Sequence, residues 1–170
     1  MKRIATAVVV VGAIVAIVLA LVIGRSRSAG PFAWPSDAGR SWVIDVAEPN
    51  QVRAFGVADT KSVDQPATIL AVRPLPTDDP TGVRLRYAAC TCVIAHTSGA
   101  HGWRPEKWKL HPLPSVIPAH TTIGIVVGMS ARKRGVYFLH GFVIDYEIGG
   151  TRYSAPQYFG VKFCVSRRCS

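Results

Sequence analysis

Residues 121–130 read TTIGIVVGMS and residues 136–148 read VYFLHGFVIDYEI. In the first stretch Ile123, Ile125, Val127 and Met129 occupy one alternate set of positions, while Thr122, Gly124, Gly128 and Ser130 fall mostly on the other. A period of two is what a strand needs to bury one face and leave the other to solvent. In the second stretch the even positions carry Val136, Phe138, His140, Phe142, Ile144, Tyr146 and Ile148. Thirteen residues is long for one strand, so Gly141 predicts a bend or bulge. His140, on the apolar set, is expected to be a hydrogen-bonded core histidine. Gly149-Gly150 then offers the positive φ angles of a tight hairpin, with Thr151-Arg152-Tyr153 opening the returning strand.

Working outward, the same alternation marks Trp42 to Val46, Gln51 to Val57, Ala67 to Val72, Val83 to Ala95 and Tyr158 to Val165. Residues 42–170 show no sustained 3.6-residue apolar period. Seven or eight short strands with regular turn signals predict an all-β, antiparallel sandwich of immunoglobulin-like type, one domain large enough for its own core. Residues 25–41 (RSRSAGPFAWPSDAGRS) mix Ser, Gly, Pro and Arg without periodicity and read as a linker.

Residues 4–24 carry no charge, and Thr6 is the one side chain there with a polar group. Twenty-one helical residues reach about 30 Å, the depth of a bilayer's hydrocarbon core, so a single transmembrane helix is expected. A cleaved signal peptide is the alternative. Its apolar region is usually only about 7–15 residues, and the small-residue site Ser26-Arg27-Ser28 before Ala29 has an arginine in its middle. Flanking charge is nearly balanced, so the cysteines set the orientation. Cys90, Cys92, Cys164 and Cys169 are an even set suited to an oxidising compartment, which places residues 1–3 in the cytoplasm and the domain outside.

Of 20 basic side chains, 18 lie beyond the apolar run against 10 acidic ones, a surplus of eight. That surplus fits anionic partners: lipid headgroups, acidic wall polymers or an envelope protein. Nucleic acid fits electrostatically but is not expected outside the cell.

The anchor, the short stalk, the proline-delimited VIPAHTTIGIVVGM, then GFVIDYEIGGTRY and a cysteine-ended final strand resemble uncharacterised membrane-anchored proteins of actinobacteria. The resemblance covers the anchor and roughly the last 55 residues. It implies an immunoglobulin-like sandwich and carries over no catalytic residue.

Alternation sets Cys90 and Cys92 on the face of Arg84 and Arg86, and Cys164 on the face of Lys162, all away from the apolar face. A Cys90–Cys92 bridge would join Cα atoms roughly 6.5–7 Å apart on an extended strand, near the upper limit. The preferred arrangement is two bridges from Cys90 and Cys92 to Cys164 and Cys169, stapling the tail to the middle of the domain. C-x-C with a distant C-x4-C is no zinc-ribbon spacing.

From His96 to His120 the chain (HTSGAHGWRPEKWKLHPLPSVIPAH) has four prolines and no alternation, a longer irregular connection than compact domains usually carry. Trp103, Arg104, Lys107, Trp108, Lys109 and His111 interleave aromatic and basic chemistry there, and form the candidate binding site. The tryptophans either stack on a ligand or cap one end of the sandwich. A copper or zinc site from His96, His101, His111 and His120 is the alternative, without a supporting H-x-H, H-x3-H or HExxH spacing. No cofactor is expected.

No catalytic motif is found. Ser130-Ala131-Arg132-Lys133 matches S-x-x-K, but the motif needs a helix and two partner motifs. The expected function is a non-catalytic, membrane-tethered binding or accessory domain of the cell envelope.

Overall fold

The computed structural model describes residues 30–32, 42–60, 62–91, 100–106 and 108–165, and every regular element among them is a strand. The apolar run at 4–24 lies outside the described residues, and among those described no helix is long and apolar enough to cross a membrane.

Twelve strands form three sheets: β1 (Trp42–Ala47), β2 (Arg53–Thr60), β3 (Ala67–Pro74), β4 (Val83–Cys90), β5 (Ala100–His101), β6 (Leu110–His111), β7 (Ser115–Ile117), β8 (Ile123–Ala131), β9 (Gly135–Leu139), β10 (Phe142–Ile148), β11 (Thr151–Gln157) and β12 (Gly160–Val165). One sheet runs β5-β2-β8-β4-β6; the others run β1-β12-β9 and β11-β10-β3-β7. β9 leads into β10, and β11 into β12, so the two smaller sheets are successive halves of one bent layer. That layer packs on the five-stranded sheet through a core including Phe55, Ile125, Val127, Ile69, Phe142 and Phe163. The all-β sandwich is therefore present. It is not wholly antiparallel, since β1 runs parallel to β12.

The reading of 121–130 holds in detail. Ile123, Ile125, Val127 and Met129 belong to the main core, while Val126 faces a second, outer cluster. Burial on both faces is the mark of a central strand.

The reading of 136–148 needs correction. Its even positions do not share one face: Val136, Phe138 and His140 are exposed, whereas Phe142, Ile144 and Tyr146 are buried, and in β9 Leu139 points inward instead. The alternation changes phase at Gly141, where the chain kinks between the half-sheets. A side chain there would collide with the Gln157 carbonyl oxygen. His140 is accordingly not a core histidine. Its side chain is 54% exposed, and its Nδ1 lies 2.6 Å from Asp78, a carboxylate only 1% exposed that also accepts the His140 backbone N–H.

The turn at Gly149 and Gly150 is as expected, with φ of 55° and 79°. The segment from 96 to 120 is less irregular than expected, for it contributes β5, β6 and β7. Pairs of two or three residues leave no alternation to read; their position is set by the strands they meet.

Phe32, inside the stretch read as linker, is a core residue only 1% exposed. Its ring packs on Tyr146 with centroids 4.3 Å apart, its N–H donates to the Tyr146 hydroxyl at 3.1 Å, and its carbonyl accepts from Gln157 Nε2 at 2.8 Å. Gly30 takes φ 61° where any side chain would strike Tyr146 and Tyr153.

Candidate functional site

β5 lies on the β2 edge of the five-stranded sheet and β6 on the β4 edge. The chain between them therefore crosses the sheet's outer face from one side to the other, as a strap. Gly102 turns it off the edge with φ 83°, its N–H held by the Val52 carbonyl at 3.2 Å. Trp103 then lies over Gly128, where a Cβ would fall 2.6 Å from the indole ring. A glycine in the middle of a strand marks such a close approach. Beyond it a turn closes through Trp108 N–H to Arg104 carbonyl (3.2 Å) and Leu110 N–H to Pro105 carbonyl (2.9 Å). Lys109 takes φ 46°, and Leu110 joins Cys90 as β6 begins.

Under the strap, Ala54, Cys90 and Val126 form a small outer cluster against which Trp103, Trp108 and Leu110 pack. Both tryptophans are half-buried, so they close this patch and keep one part of each ring toward solvent. Arg104, Lys109 and His111 are exposed beside them, and His111 Nε2 stands 3.5 Å from Thr91 Oγ1. Five of the six residues expected to bind are thus gathered on one strap; Lys107 lies outside the described residues. Two neighbours were not foreseen as part of the site. Arg84 and Arg86 project from the same outer face of β4, and the Arg86 Cβ borders the Gly128–Trp103 contact.

The structure does not bring the candidate metal ligands together. His101 pairs with Arg53 at one edge of the sheet and His111 with Ala89 at the other. Four strand spacings of ~4.8 Å separate those edges, about 19 Å. His120 sits by Asp64 at 3.7 Å, and His96 lies outside the described residues. Among the described residues no three His, Cys, Asp or Glu side chains converge to hold a metal.

Cys90 and Cys164 are buried and each is disulfide-bonded, yet no bridge joins two described cysteines. The direct staple between them is ruled out by the strand registers. Cys90 pairs with Gly124 at the start of β8, whereas Ala131 at its end accepts a hydrogen bond from Asn50, three residues beyond the β1 end that pairs with β12. Cys164 pairs with Val46 and Val136 near that end. Seven residue steps of ~3.3 Å separate Gly124 from Ala131, about 23 Å, against the ~7 Å Cα limit of a disulfide. The two sulfurs also point outward from opposite layers, since Ala89 on β4 and Phe163 and Val165 on β12 take the core-facing positions. Cys92 and Cys169 lie outside the described residues.

Burial pushes the Tyr87 phenol well above its usual range, with the Asp78 carboxylate adding to the effect. Its hydroxyl has no partner among the described residues. Tyr146 is likewise pushed up by burial, against the opposing pull of the Phe32 N–H. Ser130 is the penultimate residue of β8, so no helical turn carries Lys133 to it.

Comparison with known proteins adds little to this geometry. No known family and no curated protein matches the chain. Among solved structures it is similar to an ASH/PapD-like domain of human CEP192, PapD-like domain 7, with TM-score 0.39 and 7% identity over 76% of this chain and 83% of that one. It is also similar to a family 123 glycoside hydrolase from Clostridium perfringens, with TM-score 0.34 and 9% identity over 74% of this chain and 23% of that one. Likeness at this level carries no functional argument.

Proposed function

We propose that the chain is a non-catalytic, membrane-tethered binding domain of the cell envelope, with an immunoglobulin-like sandwich as scaffold and the 102–111 strap as its binding surface. The strap carries the reading. A connection that crosses a whole sheet face, seats half-buried Trp103 on a glycine and Trp108 on a small apolar cluster, and leaves Arg104 and Lys109 exposed presents recognition chemistry on a fixed support. Rings held from beneath lose little freedom when a partner covers them. The apolar run at 4–24 supports the tether, and bonded cysteines at 90 and 164 are consistent with an oxidising side.

The test uses the full chain, produced in cells and followed in isolated envelope. Resistance to alkaline carbonate extraction, together with proteolysis of the domain from outside only, supports the tether. Retention of detergent-released protein on envelope material should fall at least tenfold for Trp103→Ala. Retention unchanged by that variant would sink the strap as binding surface.

A further inference from the structure

The two layers differ in how their charges are matched. On the outer face of the β11-β10-β3-β7 sheet, Arg73 pairs with Asp145 at 3.0 Å and Arg152 with Glu147 at 3.1 Å. On the five-stranded sheet the exposed basic groups of β4 have no such partners among the described residues. Arg84 and Arg86 are exposed on β4, two residues apart and facing the same way, with no acidic partner among the described residues. The same holds for Arg104 and Lys109 on the strap and for the exposed turn Arg132–Arg134 that ends β8.

These groups fall along one line. Arg84 stands opposite Ser130 and Arg86 opposite Gly128, so the pair runs from the basic turn toward Trp103, beyond which Arg104 follows. The acids near the line lie at its ends: Glu106 in the strap, Asp59 at the backbone position opposite Gly124, and Glu48 and Asp79 in the turns that meet Ala131 and open β4, the latter already accepting from Thr81.

From this we infer that the outer face of the five-stranded sheet, rather than the strap alone, is a track for a linear polymer that carries oxyanions along its length. The inference rests on the binding reading above and names its ligand class. Two alternate residues of a strand project side chains about 6.6 Å apart on one face. A chain with phosphate or carboxylate groups repeating at that interval can meet Arg84 and Arg86 in succession, each guanidinium offering a two-pronged contact to one oxyanion. The strap rises above the sheet and leaves a line rather than a plane. That shape suits an extended polymer better than a flat lipid surface. Trp103, held against Gly128, supplies a ring on which a sugar or polyol unit of the polymer can rest.

The experiment is titration of the full chain in neutral detergent micelles with linear sodium polyphosphate and with poly-L-glutamate, across 50–200 mM salt. Neutralising four oxyanions releases counterions with a log–log slope of about −2.8, so affinity should fall about 50-fold over that range. Arg84→Gln combined with Arg86→Gln should flatten the slope by about 1.4 for whichever polymer binds. Arg152→Gln combined with Lys162→Gln removes the same charge from the other layer and should leave the slope unchanged. Binding of either polymer with that pattern supports the track, and the two probes distinguish phosphate from carboxylate chemistry. Equal losses in both double variants would show a response to net charge only and overturn the proposal. So would salt-independent binding, no binding of either polymer, or stronger binding to vesicles of 30% phosphatidylglycerol in phosphatidylcholine. If neither polymer binds while Trp103→Ala still abolishes envelope retention, the ligand class fails and the binding surface stands.

Discussion

Replacing Phe32 with alanine should cost the domain about 3 kcal/mol. Phe32 is the residue of the described 30–32 segment that enters the core, and it does so completely. Burying a whole phenylalanine removes ~150–250 Å² from water, which at ~25 cal/mol per Å² gives about 4–6 kcal/mol as an upper bound. Core Phe→Ala changes typically cost ~3–5 kcal/mol. The lower end applies here, because a short segment can undock instead of leaving a cavity in place, and then the loss is capped at the docking free energy. Two hydrogen bonds, from Phe32 N–H and to its carbonyl, contribute about 1 kcal/mol each to that docking. The assay is urea unfolding followed by tryptophan fluorescence. Wild type, Phe32→Ala, Tyr146→Phe and the double variant form a cycle. Tyr146→Phe alone should cost about 1 kcal/mol by removing the acceptor of the Phe32 N–H, and the pair should be coupled by a similar amount, because undocking already breaks that bond. A Phe32→Ala loss below ~1 kcal/mol, with fully additive effects, would refute the docking of residues 30–32.

Three further outcomes are expected. Gly128→Ala should leave stability within ~1 kcal/mol, since the added methyl faces outward, yet displace Trp103 and shift its fluorescence to the red; an unchanged spectrum would mean the ring does not rest there. Tyr87 and Tyr146 have phenols raised in the folded state. The folded chain therefore holds protons that the unfolded chain releases above about pH 10, so stability is intact below that value and falls as pH rises past it. Tyr87→Phe should lessen the fall and, by removing a buried hydroxyl without a partner among the described residues, should not destabilise at pH 7. Non-reducing peptide mapping should find two local bridges, Cys90–Cys92 and Cys164–Cys169. Both Cys90 and Cys164 are bonded, and Cys92, two residues from Cys90, cannot reach a sulfur some 20 Å away. A Cys92–Cys164 peptide would contradict the strand registers.

What could be read in the sequence was whatever depends on nearest neighbours along the chain. Alternation at 121–130 placed Ile125 and Val127 in the core, and it set Cys90 on the face of Arg84 and Arg86, where the structure has it. Gly149-Gly150 marked its own turn. Alternation failed where a distant contact intervenes. At Gly141 the approach of Gln157 breaks the phase, so one apolar run became two strands facing opposite ways and His140 moved from core to surface. Phe32 was hidden among linker residues because a single docked side chain has no period. In the sequence the strap shows only as an anomaly of length, and only composition marks its aromatic and basic residues. That it lies over Arg84 and Arg86 follows from β5 and β6 meeting opposite edges of one sheet, which no local pattern records. The glycine at 128 was the available signal, since a central strand gains nothing from a missing side chain unless something rests on it.

The docked Phe32 also changes how far the domain can stand from a membrane. Read as a free linker, residues 25–41 would allow the 18 steps from Gly24 to Trp42 to reach about 61 Å at ~3.4 Å per residue. With Gly30 fixed against Tyr146 and Tyr153, six steps remain, and the reach drops to about 20 Å. If residues 4–24 span the bilayer as proposed, the sandwich is held almost against the headgroups by its β10–β11 side, where Phe32 enters. In that arrangement the basic sheet, which belongs to the other layer, would face away from the membrane. A tether that short favours a partner near the membrane at a fixed height, and a polymer threading past is better placed to meet the track than a distant protein. Energy transfer from a dye on the domain to acceptor lipids should therefore be strong in the wild type and weaken in Phe32→Ala, as the released segment lets the domain move outward. Equal transfer in both would mean that Phe32 does not set the height, and the orientation argument would fall with it.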